Sequence, residues 1–174
     1  MFNFEDLDET TREAMLNAID DAERTNNIYY SARFNDAGKQ QWLPLLKQAA
    51  LQHDEHWLSY QLEAQQLMKD FEGANKPSGG YTIKHVPHTA SETFSEGQFN
   101  RFYILGLCKR ARTENIDYLI VYRAKERAGT RPESQSIIGN RFLIDEVESQ
   151  LKITKNSFNS PLVKPNSGLS VKRP

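Results

Sequence analysis

EGQFNRFYILGLCKR, residues 96–110, decides how the rest of the chain is read. Within it, residues 102–108 (FYILGLC) carry no charge and a single hydroxyl. An apolar surface that runs all the way round a helix marks burial on most sides, not an amphipathic surface helix. The stretch is therefore expected to be the spine of the fold. Gly106 costs about 1 kcal/mol in helix propensity, so it implies a close neighbour, and the apolar strand that follows (residues 118–122, YLIVY) is the expected one. Arg101, Lys109 and Arg110 fence the block and are expected to mark where the helix reaches water. Cys108 is the only cysteine, so an intrachain disulfide and a cysteine-rich zinc site are both excluded. Its apolar flanks make it a small core residue and not a nucleophile.

Upstream of the spine, Thr89 and Glu92 have capping-box spacing, which opens this helix at about residue 89 and runs it to about 113. Before it, YTIKHVP (residues 81–87) reads as a strand with Tyr81, Ile83 and His85 on one side. After it, DYLIVYRAK (residues 117–125) reads as a strand covered on both faces. Strand, long helix and strand predict a β-α-β crossover of right-handed sense, if the two strands are parallel neighbours.

The first 72 residues read as a small acidic helical region. Thr10 with Glu13, or Asp8, caps a first helix; Asn35 or Asp36 caps a second, which Pro44 must kink or restart; Asp54 caps a third that runs to about residue 72. GANKPSGG, residues 73–80, reads as a linker. Residues 81–151 form the predicted β-α-β core, with short helices beginning at Pro132 and Asp145. Residues 152–174 carry five bases, three prolines and no acid, and are expected to be an extended basic tail without a fold of its own. The fold class is α+β.

The net charge of −1 conceals a division. Residues 1–72 hold fourteen acids and six bases, a net of −8; residues 73–174 hold nine acids and sixteen bases, a net of +7. Either the halves neutralise each other in one fold, or they offer opposite faces to partners or to further copies. A hydrophobic share of 38% is enough for a core, and no run of about 18 apolar residues offers a membrane span. The acidic start, MFNFEDLDE, is unlike a secretory signal, so a cytoplasmic site of synthesis and assembly is expected.

Motifs for chemistry are few. His53/His56 and His85/His88 each have H-x-x-H spacing, but a metal site needs further ligands. Glu92 and Glu96 lie one helical turn apart and could serve acid–base work, although acids also suit the first turns of any helix. Asp117 stands where a metal-dependent nuclease would carry an acid, but Arg123-Ala124-Lys125 lacks the partner glutamate. There is no phosphate loop, G-x-S-x-G elbow or H-E-x-x-H. Arg123, Lys125, Arg127 and Arg131 form a basic loop diluted by Glu126 and Glu133, too sparse for a nucleic-acid surface.

FNRFYILGLCKRA (residues 99–111), VYRAK (121–125), RPES (131–134) and PNSGLSV (165–171) resemble a family of small proteins of tailed bacteriophages, and the similarity spans most of the chain. Genes of that family travel with those for the capsid and head, and the family carries no enzymatic assignment. The resemblance implies a non-enzymatic virion protein of the head or head–tail junction, a capsid decoration or connector, assembled in the host cytoplasm. Its expected partners are capsid, portal or neighbouring copies of itself, in a homo-oligomer within the particle. No catalytic residue, cofactor, metal or membrane partner is implied. The expected partner-binding residues are the basic loop, Arg123, Lys125, Arg127 and Arg131, and the tail, Lys152, Lys155, Phe158, Leu162, Lys164, Leu169, Val171, Lys172 and Arg173. Ordering such a tail costs about 1–2 kcal/mol per residue, which a partner surface would offset. The alternative is a nucleic-acid-acting or anti-defence protein free in the host cytoplasm, which requires Glu92, Glu96, Asp117 or Arg123 to line a pocket.

Overall fold

The computed structural model describes residues 1–126, 132–153 and 160–174. It is an α+β protein of helices and two small antiparallel sheets. Three helices come first: α1 (Glu9–Arg24), α2 (Asp36–Gln52) and α3 (Glu55–Ala64). Asp8, Asn35 and Asp54 cap them, each accepting a backbone N–H from three residues on. Thr10 is not the cap of α1. Pro44 lies inside α2, which continues through it as one element. The third helix stops at Ala64 and not near residue 72.

Two strands follow, β1 (Phe71–Asn75) and β2 (Tyr81–His85), paired as a hairpin. The stretch read as a linker is thus the end of β1 and its turn. The spine is α4 (Ala90–Thr113). Thr89 is its cap residue but makes no side-chain cap bond, so the capping-box expectation fails there. After α4 come β3 (Tyr118–Arg123), α5 (Pro132–Ser136), β4 (Arg141–Leu143), α6 (Ile144–Ile153) and β5 (Leu169–Lys172).

The β-α-β unit does not form. β2 belongs to the hairpin, whereas β3 is the centre of a separate sheet ordered β4-β3-β5, antiparallel on both sides. The strand that completes this sheet comes from the segment expected to be a free tail. Val121 lies opposite Val171 and Tyr122 opposite Ser170. Leu162, Val163, Leu169 and Val171 are buried. Composition hid this, because the apolar residues are scattered among prolines and bases and only two of them, Leu169 and Val171, stand in a strand.

The burial of α4 is as its sequence implies: every residue from 98 to 108 is buried. It packs against α1, α2, α3, α6 and β5. The N-terminal helices therefore share one core with the rest of the chain. Arg101 departs from expectation. It is 0% exposed and never reaches water. Its guanidinium donates to the Leu151 carbonyl (3.0 and 3.1 Å), in the last turn of α6, and to that of Asn27 (3.4 and 3.5 Å), just beyond the end of α1. The Leu151 carbonyl carries the negative end of the α6 dipole. Burial still pulls its pKa down to about 10.

The charge division closes internally. Lys109 bonds Asp21 (2.6 Å), Arg110 bonds Asp8 (2.5 Å), Lys172 bonds Glu5 (2.7 Å), and Arg173 bonds both Asp6 and Glu114. All but the Glu114 pair join a C-terminal base to an N-terminal acid. No helix among the described residues is long and apolar enough to cross a membrane.

Candidate interaction surface

The hairpin β1–β2 brings together three exposed large apolar side chains, Phe71, Tyr81 and Ile83. Its turn, Lys76 to Gly80, closes with Lys76 N–H donating to Gly80 O (3.0 Å). Gly79 and Gly80 adopt positive φ (86° and 92°), which only glycine does freely. At the base, the Lys69 N–H donates to Arg33 O (2.8 Å) and the Asn35 N–H to Leu67 O (3.1 Å), so the outer edge on the β1 side is tied to the body. Glu72 holds both Arg33 (2.6 Å) and Lys84 (3.2 Å), and Arg33 foremost pulls its pKa down.

Side chains alternate across a strand, and paired residues share a face. The register Phe71↔His85, Gly73↔Ile83, Asn75↔Tyr81 therefore puts all six on one face. Phe71, Tyr81 and Ile83 are 51%, 69% and 70% exposed. Phe71 packs on the His85 ring at 4.4 Å. The Tyr81 ring lies across Gly73, where a Cβ would overlap it. The sequence reading placed Tyr81, Ile83 and His85 on one side, and the register agrees. It missed β1, whose FEGAN sequence has neither apolar alternation nor β-branched residues.

The predicted contact residues are spread over the molecule. Arg123 donates to Ser167 O (3.2 Å) and Gln135 Oε1 (3.1 Å). Lys125 bonds Glu92 (2.9 Å) and Glu96. Lys152 bonds Glu148 (2.8 Å) at the end of α6. Leu162, Leu169 and Val171 are core residues and present nothing to a partner. Lys172 and Arg173 are engaged with Glu5, Asp6 and Glu114. Lys164 is exposed. Arg127, Arg131, Lys155 and Phe158 lie outside the described residues. The described part of the tail is therefore an internal strap, with buried side chains where a partner arm would offer free ones.

Glu92 and Glu96 do line a cleft of about 330 Å³, together with Glu55, Ser59, Glu63 and Lys125. The Lys125 ammonium sits between the two α4 carboxylates. Glu55 is 2% exposed; one oxygen accepts the Phe2 N–H (2.6 Å) and the other has no hydrogen-bond partner among the described residues. Burial raises its pKa. Asp117 and Arg123 do not line this cleft. His53 stacks on Trp57 at 4.1 Å. Among the described residues no group of three or more metal-ligating side chains converges. The Cys108 thiol is buried, and its pKa is pushed up to about 12.

No protein-family model, curated protein or solved structure matches the chain. The hairpin, the strap and the cleft therefore have to be read from their own geometry.

Proposed function

We propose that the chain is a non-enzymatic structural protein of a tailed-bacteriophage particle. It sits at the head or the head–tail junction and is assembled there in the host cytoplasm. The observation that carries this reading is the hairpin: an apolar sheet face with Tyr81 and Ile83 about 70% exposed, set beside a strand edge with no neighbour among the described residues. Exposed apolar faces of this kind mark interaction sites, and an open strand edge is a template for another chain. The resemblance of residues 99–111 and 165–171 to phage head-associated proteins supplies the setting. The contact surface is thus moved from the C-terminal segment, whose described part is committed to the fold, to the hairpin.

Mass spectrometry of purified particles tests the setting; several copies per particle are expected. An Ile83→Lys protein tests the surface. Its exposed site leaves folding intact, which circular dichroism checks, and its incorporation should be lost. Absence of the wild-type chain from particles would overturn the reading, and normal uptake of Ile83→Lys would remove the hairpin from it.

A further inference from the structure

Among the described residues the outer edge of β2 has no neighbour, and it has a defined hydrogen-bonding phase. The Val86 N–H donates to Asp70 O and the Lys76 N–H to Gly80 O. Bonded pairs alternate along an antiparallel ladder, so Thr82 and Lys84 are the residues of β2 that bond β1. The bonds from Lys69 and Leu67 outward to residues 33–35 fit the same phase. Tyr81, Ile83 and His85 consequently turn both N–H and C=O to the open side.

We propose that a second copy of this chain occupies that edge, β2 pairing antiparallel with β2 across a two-fold axis at Ile83. The inference rests on the assembly reading and names its partner. Three features of the register favour a copy over another strand. First, the three outward-facing residues meet only one another: Ile83 faces Ile83, and Tyr81 faces His85. All three are therefore bonded pairs, and the hairpins merge into a four-stranded sheet with one continuous apolar face. Second, no like charges meet. Lys84 falls opposite Thr82, and its own Glu72 stays beside it (3.2 Å). Third, the register sets Gly80 of one copy opposite Val86 of the other, so each turn reaches the other copy's hairpin base. That base is an open groove of about 730 Å³ whose lining includes Glu63, Asp70, Val86 and Pro87. Lys76 is the one charged residue of the incoming turn. Among the described residues neither Glu63 nor Asp70 has a side-chain partner; both are exposed acids on the side of the groove that the basic turn approaches.

Five residues a side fall well short of the ~800 Å² per partner of a standard interface. The dimer is a weak one in free solution and is reinforced by multivalency in a particle. Its test is register-specific crosslinking of the full-length protein. Bonded antiparallel pairs hold their Cα atoms about 5.5 Å apart, within disulfide reach. Cys108 is buried and does not compete. Ile83→Cys should oxidise to a covalent dimer, and Tyr81→Cys, which faces His85, should stay monomeric. Sedimentation should show concentration-dependent self-association of the wild-type protein, and Lys76→Glu, which makes the incoming turn acidic, should weaken it. A folded Ile83→Cys protein that fails to crosslink would overturn the proposal, as would equal crosslinking at Tyr81→Cys or a wild-type protein that stays monomeric at every concentration. None of these outcomes depends on whether particles contain the chain, so the two readings fail separately.

Discussion

Met15 of α1 rests directly on Gly106 of α4, so closely that a Cβ at position 106 would lie 2.8 Å from both the Met15 backbone nitrogen and its Cγ. The glycine makes room for a helix and not, as its neighbourhood in sequence suggests, for the strand YLIVY. Backbone meets backbone there: the Met15 side chain can turn away, but its backbone nitrogen and Cα cannot. In an open helix Gly→Ala would gain about 1 kcal/mol of propensity. Here overpacking against backbone costs roughly 1–3 kcal/mol and outweighs the gain. Gly106→Ala should therefore lower the urea midpoint, and a raised midpoint would show that α1 can move aside.

Asn100 holds the C-terminal strap to α4. Its amide donates to the carbonyls of Leu162 (3.1 Å) and Leu169 (2.9 Å), and it accepts from the Ser170 hydroxyl (2.6 Å). All of these groups are out of water. Asn100→Ala strands the Leu169 carbonyl and the Ser170 hydroxyl, each worth roughly 1–3 kcal/mol when buried unpaired, and leaves the Leu162 carbonyl only the Ser167 hydroxyl (3.4 Å). A loss of about 3 kcal/mol is expected, and Ser170→Ala should cost less. The double variant should lose less than the sum of the two, since the pair acts as one network. Strict additivity in denaturant unfolding would contradict that coupling.

The helices were legible because their signals are local: Asn35 and Asp54 cap where they stand, and residues 102–108 announce burial by carrying no charge. Position in space was not legible. Arg101 looks like a fence post in sequence, yet its partners, Asn27 and Leu151, are 74 and 50 residues away. Leu169 and Val171 look like isolated apolar residues in a basic tail, and only pairing with β3 gives them a face. The interaction surface was half legible. The alternation of β2 is plain in YTIKH, whereas β1 takes its strand form from the partner strand and not from its own residues.

Two acids at the α1–α4 contact set the acid limb of stability. The Arg110 guanidinium holds the Asp8 pKa from an ordinary 3.8 down to about 2, and the Lys109 ammonium does the same for Asp21. Both folded values lie below the unfolded ones, so their stabilisation is complete above about pH 4 and is lost as pH falls towards 2. Solvent screens both pairs, so the effect is modest. Asp8→Asn keeps an acceptor for the Thr11 N–H but no charge. Its melting temperature should sit below wild type at pH 7 and fall less steeply on acidification; parallel curves would remove Asp8 from the acid response.

Glu55 works in the opposite sense. Burial raises its folded pKa above the ordinary 4.5, so folding favours the protonated form. Its contribution is most favourable below that value and declines as pH rises past it. Glu55→Gln retains an oxygen for the Phe2 N–H and removes the buried charge. It should raise the melting temperature at pH 7 and leave it near wild type at pH 4; destabilisation at pH 7 would mean that the carboxylate has a cationic partner worth more than its desolvation.

A stop at Lys152 separates an arm from a strap. An arm could be removed without harm to the fold. The strap supplies β5, one of the two neighbours of β3, the other being the three-residue β4. It also buries Leu162, Val163, Leu169 and Val171. At about 1.5–3 kcal/mol per buried side chain, those four contribute roughly 6–12 kcal/mol, as much as the whole stability of an ordinary domain. Arg173 goes with them, and with it the bonds that clamp Asp6 and Glu114. The truncated chain should therefore lose its cooperative thermal transition and its near-ultraviolet circular dichroism. A stop after Lys172 keeps β5 and should leave both, with a lower melting temperature. A chain ending at Leu151 that melts like wild type would show that β5 is dispensable and return the tail to the role of an arm.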